Sequence, residues 1–506
     1  MDAEASFQSN GSFEFLRRKI EFGETIDWDC PELPALWQYN LHYFDCLRQK
    51  GMSSEQGLAL MKDWIVRHPG FSGVGWHPYP VSLRLVNWIY FVASNFKDTA
   101  LEQQYVDSIA LQAAWLKENI EHHILANHLF ENAKALLFAG AFLDGALGDE
   151  CVTTGLEILR AELDEQFLDD GGHYERTPMY HAILTLGLVD LSNLFSSNPG
   201  TFSADDLYVV NVRARAALNF LDELDPPDHS MPFFNDSTDG IAPERVHLAG
   251  FAQRIFDFHH QPKGEELRFA ALDSSGYYVI REPGNFLMID CGDVGPDYQP
   301  GHAHCDTLSY EYFGGGQKLI TNCGNFDYVQ SAERRYARST AAHNTVVIDG
   351  AEQSEIWGAF RVARRARPID PKLVAVGDSQ VKFTGAHDGY QRLPSGLIHR
   401  REINYFSGGR FRVDDTIEGR GSHSAESFVH FVSGLNVRQT GEVFEVSNVS
   451  GQQILKVSSP DADTVEILST ERYPEFGLKE TGISLRFRKR GEAPFHFCYE
   501  VELCAA

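Results

Sequence analysis

Long apolar runs are missing from this 506-residue chain. None approaches the roughly 20 residues that a membrane-spanning helix needs, so no membrane insertion is predicted. Positive charge is scarce: 44 Lys and Arg stand against 71 Asp and Glu, a formal net charge of -27. That balance argues against nucleic acid or an anionic membrane as a general partner. It leaves an acidic substrate open, because a cleft can be locally basic inside an acidic shell. Cysteine is sparse, and the eight residues (Cys30, Cys46, Cys151, Cys291, Cys305, Cys323, Cys498, Cys504) include no Cys-x-x-Cys pair. A zinc ribbon, a thioredoxin-type site and a disulfide scaffold are thereby disfavoured. The opening MDAEASFQSNGSFEF has no basic n-region and no apolar h-region, so it reads as no signal peptide. The location expected is cytoplasmic, or periplasmic or secreted where a leader has been removed. No tight internal repeat points to a solenoid. The glycine run Gly314-Gly315-Gly316 is followed by no Lys-Ser/Thr, so it is no phosphate loop, and no organic cofactor is predicted.

What is present divides in two. A chain of this length is too long for one core, and two or more domains are expected. Apolar residues recur at three- and four-residue spacing through 54–66, 81–95, 103–119, 128–145, 151–167, 179–196 and 206–224, predicting antiparallel helix hairpins. After Arg268 the pattern alternates, as in Tyr277–Ile280, Phe286–Ile289, Lys318–Ile320, Thr345–Ile348, Phe411–Val413 and Phe428–Phe431. The expected architecture is α+β and multidomain: a helical domain over 1–262 and an antiparallel β-sandwich over 268–506.

The most informative stretch is Gly301-His302-Ala303-His304-Cys305-Asp306, answered by Ser339-Thr340-Ala341-Ala342-His343-Asn344-Thr345. Read as the start of a strand running to Tyr312, it puts His302, His304 and Asp306 on one face. Two imidazoles and a carboxylate together make a metal site or a proton-transfer site. A basic cluster follows (Arg334, Arg335, Arg338, Arg361, Arg364, Arg365), which is either a solvated edge or part of a binding surface. In the helical half, Asn127-His128 opens a helix; Asn127 alone reads as an N-cap, but His128 and Asn132 beside it are not explained that way. Thr177 reads as an N-cap and Pro178 as a first helical residue, placing Tyr180 and His181 in the positive first turn. Aromatics in Trp37–Phe44 and Trp76–Pro80 suit either sugar stacking or helix packing.

Together these motifs resemble the heparinase II/III-like polysaccharide lyases, a group that includes alginate lyases of related fold. The likeness rests on Trp37–Phe44, Asn127–Lys134, Tyr174–His181, Gly301–Asp306 and Arg338–Thr345, and it covers nearly the whole chain. It implies an incomplete α/α toroid followed by an antiparallel β-sandwich. It also implies β-elimination on a uronic-acid polysaccharide, a reaction with three demands: neutralising the uronate carboxylate, removing the C5 proton, and protonating the leaving oxygen at C4. By the same resemblance Asn127 and His128 hold the carboxylate, Tyr180 is the catalytic Tyr, and His302 is the catalytic His. Tyr174, Arg176, Tyr328, Arg338 and Trp76 are the expected substrate contacts. The family pattern also implies one structural zinc ion, at positions that read His304, Asn322 and His343 here. The usual Asp is replaced by Asn322, a weak neutral ligand, and Asp306 is the alternative on the His304 face. A uronyl C5-epimerase shares the first step of this chemistry. A non-catalytic polysaccharide-binding or export-associated protein is the remaining reading. A hydrolase would need a carboxylate pair, for which Asp236 and Asp239 are candidates without an evident partner.

Overall fold

A computed structural model describes residues 5–8, 10–96, 101–259, 264 and 266–504. Helices occupy the first half: α1 (Ala35–Tyr43), α2 (Ser54–Arg67), α3 (Pro78–Asn95), α4 (Gln103–Glu118), α5 (Ala126–Phe142), α6 (Ala146–Gln166), α7 (Pro178–Ser197), α8 (Ala204–Leu224) and α9 (Arg245–Phe256). A short α10 (Ala332–Ala337) lies among the strands. The seven helices expected from periodicity are all present. Local chemistry accounts for their ends. Ser53 and Gln56 form a capping box on α2, and Pro78 opens α3. Beyond the expectation, a three-stranded antiparallel sheet (Phe7–Gln8, Ser12–Phe15, Arg18–Glu21) precedes α1.

Packing divides the chain into two compact units. The helical unit comprises the chain through Phe167 with Leu184–Arg215 and Val246–Phe258. The sheet-rich unit comprises Leu168–Ile183, Ala216–Arg245 and the chain from His259 onward. In the helical unit α5 is the central helix, packed on α3 and α6 and buried almost throughout from Ala126 to Gly140, with His128 the exception. Gly140 permits the close approach of α6, since a Cβ there would lie 2.6 Å from Val152 Cγ2.

Among the described residues the sheet-rich unit holds three large antiparallel sheets, of five, eight and four strands, and a two-stranded hairpin, Ile356–Trp357 with Arg361–Val362. The five-stranded sheet runs in chain order from Arg268–Leu272 to Gln317–Ile320. One continuous apolar core takes Ile289 from the first sheet, Ile403 and Phe411 from the second, and Val346 and Val429 from the third. This layered burial of alternating residues is the sandwich that period-two patterning predicts.

One local expectation fails. The strand containing Tyr312 begins at Tyr310, and residues 301–309 are irregular. His302, His304 and Asp306 are therefore placed by side-chain hydrogen bonds rather than by strand alternation. Among the described residues no helix is long and apolar enough to cross a membrane. All eight cysteines are free; seven are buried and Cys504 is half-buried.

Candidate active site

In the sheet-rich unit the site is organised around Asp236, a fully buried carboxylate. His302 Nδ1–H donates to Asp236 Oδ2 at 2.8 Å, and His304 Nε2–H donates to Oδ1 at 2.7 Å. Arg334 grips both oxygens, with Nη2 2.8 Å from Oδ2 and Nη1 on Oδ1. Burial alone would raise this carboxyl, but Arg334 and the two imidazoles hold it well below the usual carboxylate range. The anion is satisfied by four donors, as buried charge requires.

The loop carrying Asp236 is itself clamped. Asn235 N donates to Asp306 Oδ2 at 2.7 Å, His304 N donates to Asn235 Oδ1 at 2.9 Å, and Asn235 Nδ2 donates to the Arg176 carbonyl at 2.7 Å. Asp306 thus orders the loop rather than joining the imidazoles as a third ligand. Asn235, Arg176 and Leu308 all take positive φ (53°, 52° and 64°), strain of the kind that concentrates at functional sites.

Tyr180, in the first turn of α7, lies against His302 with ring centroids 4.1 Å apart. Its hydroxyl is 2.9 Å from the Tyr328 hydroxyl, and burial holds the Tyr328 phenol well above its ordinary value. Around the helix start Met179 N donates to Ser237 Oγ at 3.2 Å and Thr177 Oγ1 donates to the Glu175 carbonyl at 3.2 Å. The bond from Nδ1–H to Asp236 selects the His302 tautomer whose lone pair is on Nε2. Tyr180, Tyr328 and His302 together offer an acid and a base on one surface.

In the helical unit α5 presents Asn127 and His128. Asn127 is not the cap, which falls on Leu125; Leu125 and Ala126 both take positive φ (65° and 54°). The helix carrying the pair is therefore entered under strain. His128 Nδ1–H donates to Glu121 Oε1 at 3.0 Å, and Asn132 Nδ2 donates to Glu121 Oε2 at 3.1 Å. The His128 ring lies 4.3 Å from that of Tyr79, and Asn127 Nδ2 is 3.4 Å from the Tyr79 hydroxyl. Glu121 was not legible as a partner of His128.

Among the expected substrate contacts, Tyr328 joins the Tyr180–His302 cluster, and three are engaged elsewhere. Trp76 is 3% exposed and packs among Trp64, Phe71 and Trp115, so its indole serves the core. Arg338 is buried and donates to the carbonyls of Ala303, Gly358 and Arg361, so it holds backbone rather than ligand. Arg176 likewise donates to the Ser274 and Ser275 carbonyls at 3.2 and 3.0 Å. Tyr174 is buried beside His173, with ring centroids 4.9 Å apart.

The expected zinc ligands come together only in part. His304 Nδ1 lies 3.2 Å from His343 Nε2. The other nitrogen of each ring is committed, His304 to Asp236 and His343 Nδ1 to the Ser339 carbonyl at 2.7 Å. Burial pushes both imidazoles down to about 4. Two lone pairs therefore face one another, an arrangement that accommodates a cation. Asn322, however, directs its oxygen to Ser309 Oγ at 2.6 Å and to Asn344 N at 3.2 Å. Among the described residues no group of three His, Cys, Asp or Glu is placed to hold a metal. The donor set falls short of a structural zinc site.

A helical region followed by a sheet-rich domain of stacked antiparallel sheets is the fold class of this chain. The sequence model described as Heparinase II/III N-terminus matches residues 3–247, and that described as Heparinase II/III-like, C-terminal matches residues 265–495. The chain belongs to the heparinase II/III-like family. It is 25% identical over 323 residues to the heparin-sulfate lyase of Pedobacter heparinus, covering 57% of this chain and 47% of that protein. It is 26% identical over 381 residues to the FtsZ-localized protein C of Caulobacter vibrioides, covering 72% of this chain and 62% of the relative. The chain thus spans less than two thirds of either relative's length. The heparinase III crystal structure superposes with a TM-score of 0.73 at 18% identity, over 93% of this chain and 76% of that one. The chondroitin AC lyase of Streptomyces coelicolor superposes at 0.56 with 11% identity, over 93% and 74%.

Proposed function

We propose that this protein is a polysaccharide lyase that cleaves an acidic, uronic-acid-containing polysaccharide by β-elimination. The observation that carries the reading is the Tyr180–His302–Asp236 arrangement. Asp236 fixes the His302 tautomer, and a hydroxyl pair lies against the imidazole. In this reading His302 Nε2 takes the C5 proton. The C5–H electrons form the C4–C5 double bond, the C4–O bond breaks, and Tyr180 gives its proton to the departing oxygen. Tyr328, kept protonated by burial, supports the Tyr180 oxygen as its charge develops. Asn127 and His128 supply the neutral amide and the imidazole that hold the uronate carboxylate, with Glu121 orienting His128. Relatives named as heparin-sulfate lyases favour a uronate-bearing substrate.

The test is the ultraviolet absorbance of the conjugated unsaturated uronate, at ~232 nm, followed across uronic-acid polysaccharides with Tyr180→Phe as control. A rise that the variant lowers by about 100-fold or more supports lyase chemistry. Deuterium entering C5 from solvent without a rise would identify an epimerase instead. A second reading has one observation behind it: the Caulobacter vibrioides relative is named for its localisation with FtsZ rather than for an activity. Saccharide binding equal in the parent chain and Tyr180→Phe, with neither absorbance nor exchange, would favour that non-catalytic role.

A further inference from the structure

The basic cluster of the sequence sorts into three pairs. Arg334 and Arg338 are buried and structural. Arg364 and Arg365 are neutralised, the first by Glu355 at 2.6 Å and the second by Asp297 at 3.1 Å. Arg335 and Arg361 are exposed, and among the described residues neither is paired with a carboxylate.

Arg361 stands on a two-stranded hairpin, Ile356–Trp357 paired with Arg361–Val362, with Trp357 directly opposite Arg361. The Arg361 guanidinium lies over the Trp357 ring, 5.2 Å from its centroid. Trp357 is 57% exposed, an unusual state for an indole in a soluble protein. Among the described residues the ring contact of Trp357 is with Arg361.

The hairpin is tied to the catalytic cluster. Its tip is anchored by Arg334 Nε on the Ala359 carbonyl at 3.0 Å and by Arg338 Nη1 on the Gly358 carbonyl at 3.2 Å. Gly358 turns the chain at φ +60°. Arg334 is the same residue that grips Asp236, which in turn holds His302. Phe360, at the tip, has its ring centroid 6.1 Å from His302 and 5.5 Å from Tyr328. One arginine therefore sets the hairpin tip and the catalytic imidazole in common register.

We propose that hairpin 356–362 is a saccharide subsite beside the reacting sugar, in which Trp357 stacks on a pyranose face and Arg361 pairs with that sugar's carboxylate or sulfate. An indole face suits the C–H face of a pyranose, and a guanidinium held over an aromatic ring is preorganised for a planar anion. The identity of the sugar rests on the lyase reading; the geometry of the subsite does not.

The experiment uses the full chain and three probes: a heparan sulfate tetrasaccharide, its unsulfated counterpart from heparosan, and neutral cellotetraose. Binding is measured in the Tyr180→Phe background, where cleavage is suppressed, with Trp357→Ala or Arg361→Ala added. KM and kcat are measured for the same two substitutions alone. We expect Trp357→Ala to weaken both acidic probes about tenfold. Arg361→Ala should weaken them about fivefold and flatten the salt dependence. KM should rise accordingly while kcat stays within about twofold. Loss on the sulfated probe alone assigns Arg361 to sulfate, and equal loss on both assigns it to the carboxylate. Binding without cleavage by the parent chain would defeat the lyase reading and leave the subsite standing. Unchanged binding in both variants, preference for cellotetraose, or no binding of any probe by the Tyr180→Phe chain would overturn the subsite.

Discussion

His128 in the helical unit and His302 in the sheet-rich unit are each held at Nδ1 by a carboxylate, but the two carboxylates are held differently. Asp236 is fully buried and answered by Arg334 and a second imidazole. Glu121 is answered by the neutral amide of Asn132, and His128 is the group of opposite charge available to it among the described residues. A carboxylate gripped by arginine and a second imidazole is a rigid anchor for the ring it orients. A carboxylate held by an amide is a lighter tie. The difference makes Asp236 a structural keystone as well as a positioning group, and leaves Glu121 chiefly a positioning group for His128.

The sharpest break of this comparison is Asp236→Ala. It strands buried Arg334 without a counter-charge, and we expect a loss of about 3–5 kcal/mol in denaturant unfolding together with loss of turnover. Glu121→Gln should behave otherwise. Turnover should fall about 10–100-fold while unfolding shifts by about 1 kcal/mol. Equal stability costs for the two substitutions would erase the distinction.

A smaller effect is common to both units. Burial lowers His42 in the helical unit well below its ordinary value, and lowers His181 in the sheet-rich unit to about 4. Each ring accepts an N–H at Nδ1, from Trp64 Nε1 at 3.1 Å and from His173 N at 3.1 Å, so neither can be protonated there without losing that bond. An unfolded chain takes up these protons below about pH 6.5. The stabilisation is therefore complete above pH 6.5 and declines as pH falls toward 4, by about 2 kcal/mol for His181 at pH 5. Thermal melts at pH 7, 6 and 5 should show falling stability, and His181→Gln should flatten the slope; a flat parent curve would refute it. Two changes should do least. Chelation should alter turnover by less than about twofold, because the His304–His343 pair lacks a third acidic or imidazole ligand among the described residues. Arg364→Ala removes an exposed ion pair with Glu355 and should leave the melting temperature unchanged.

Helices were the most legible part of the fold, because their apolar spacing repeats over many turns. α2, α6 and α7 begin within five residues of the expected positions. The short N-terminal sheet, with strands of two to four residues, offered too few periods to read. In the site, Tyr180 and His302 were legible as a motif. The role of Asp236 was not, because its partners His302 and Arg334 lie 66 and 98 residues away and no local spacing encodes them. Alternation misled at 301–309 for a physical reason. Asn235 and Asp306 take over the hydrogen bonding that a strand ladder would have provided. The basic cluster was undecidable in sequence because burial, pairing and exposure divide its six arginines evenly.

The buried cysteines give the molecule an internal clock. Cys30, Cys46 and Cys151 lie in the helical unit, while Cys291, Cys305, Cys323 and Cys498 lie in the sheet-rich unit. A thiol reagent added to the native protein should reach Cys504 first. Each later modification then marks the moment a region opens. Identifying the labelled peptides in order would show which unit lets go first, with no engineered probe.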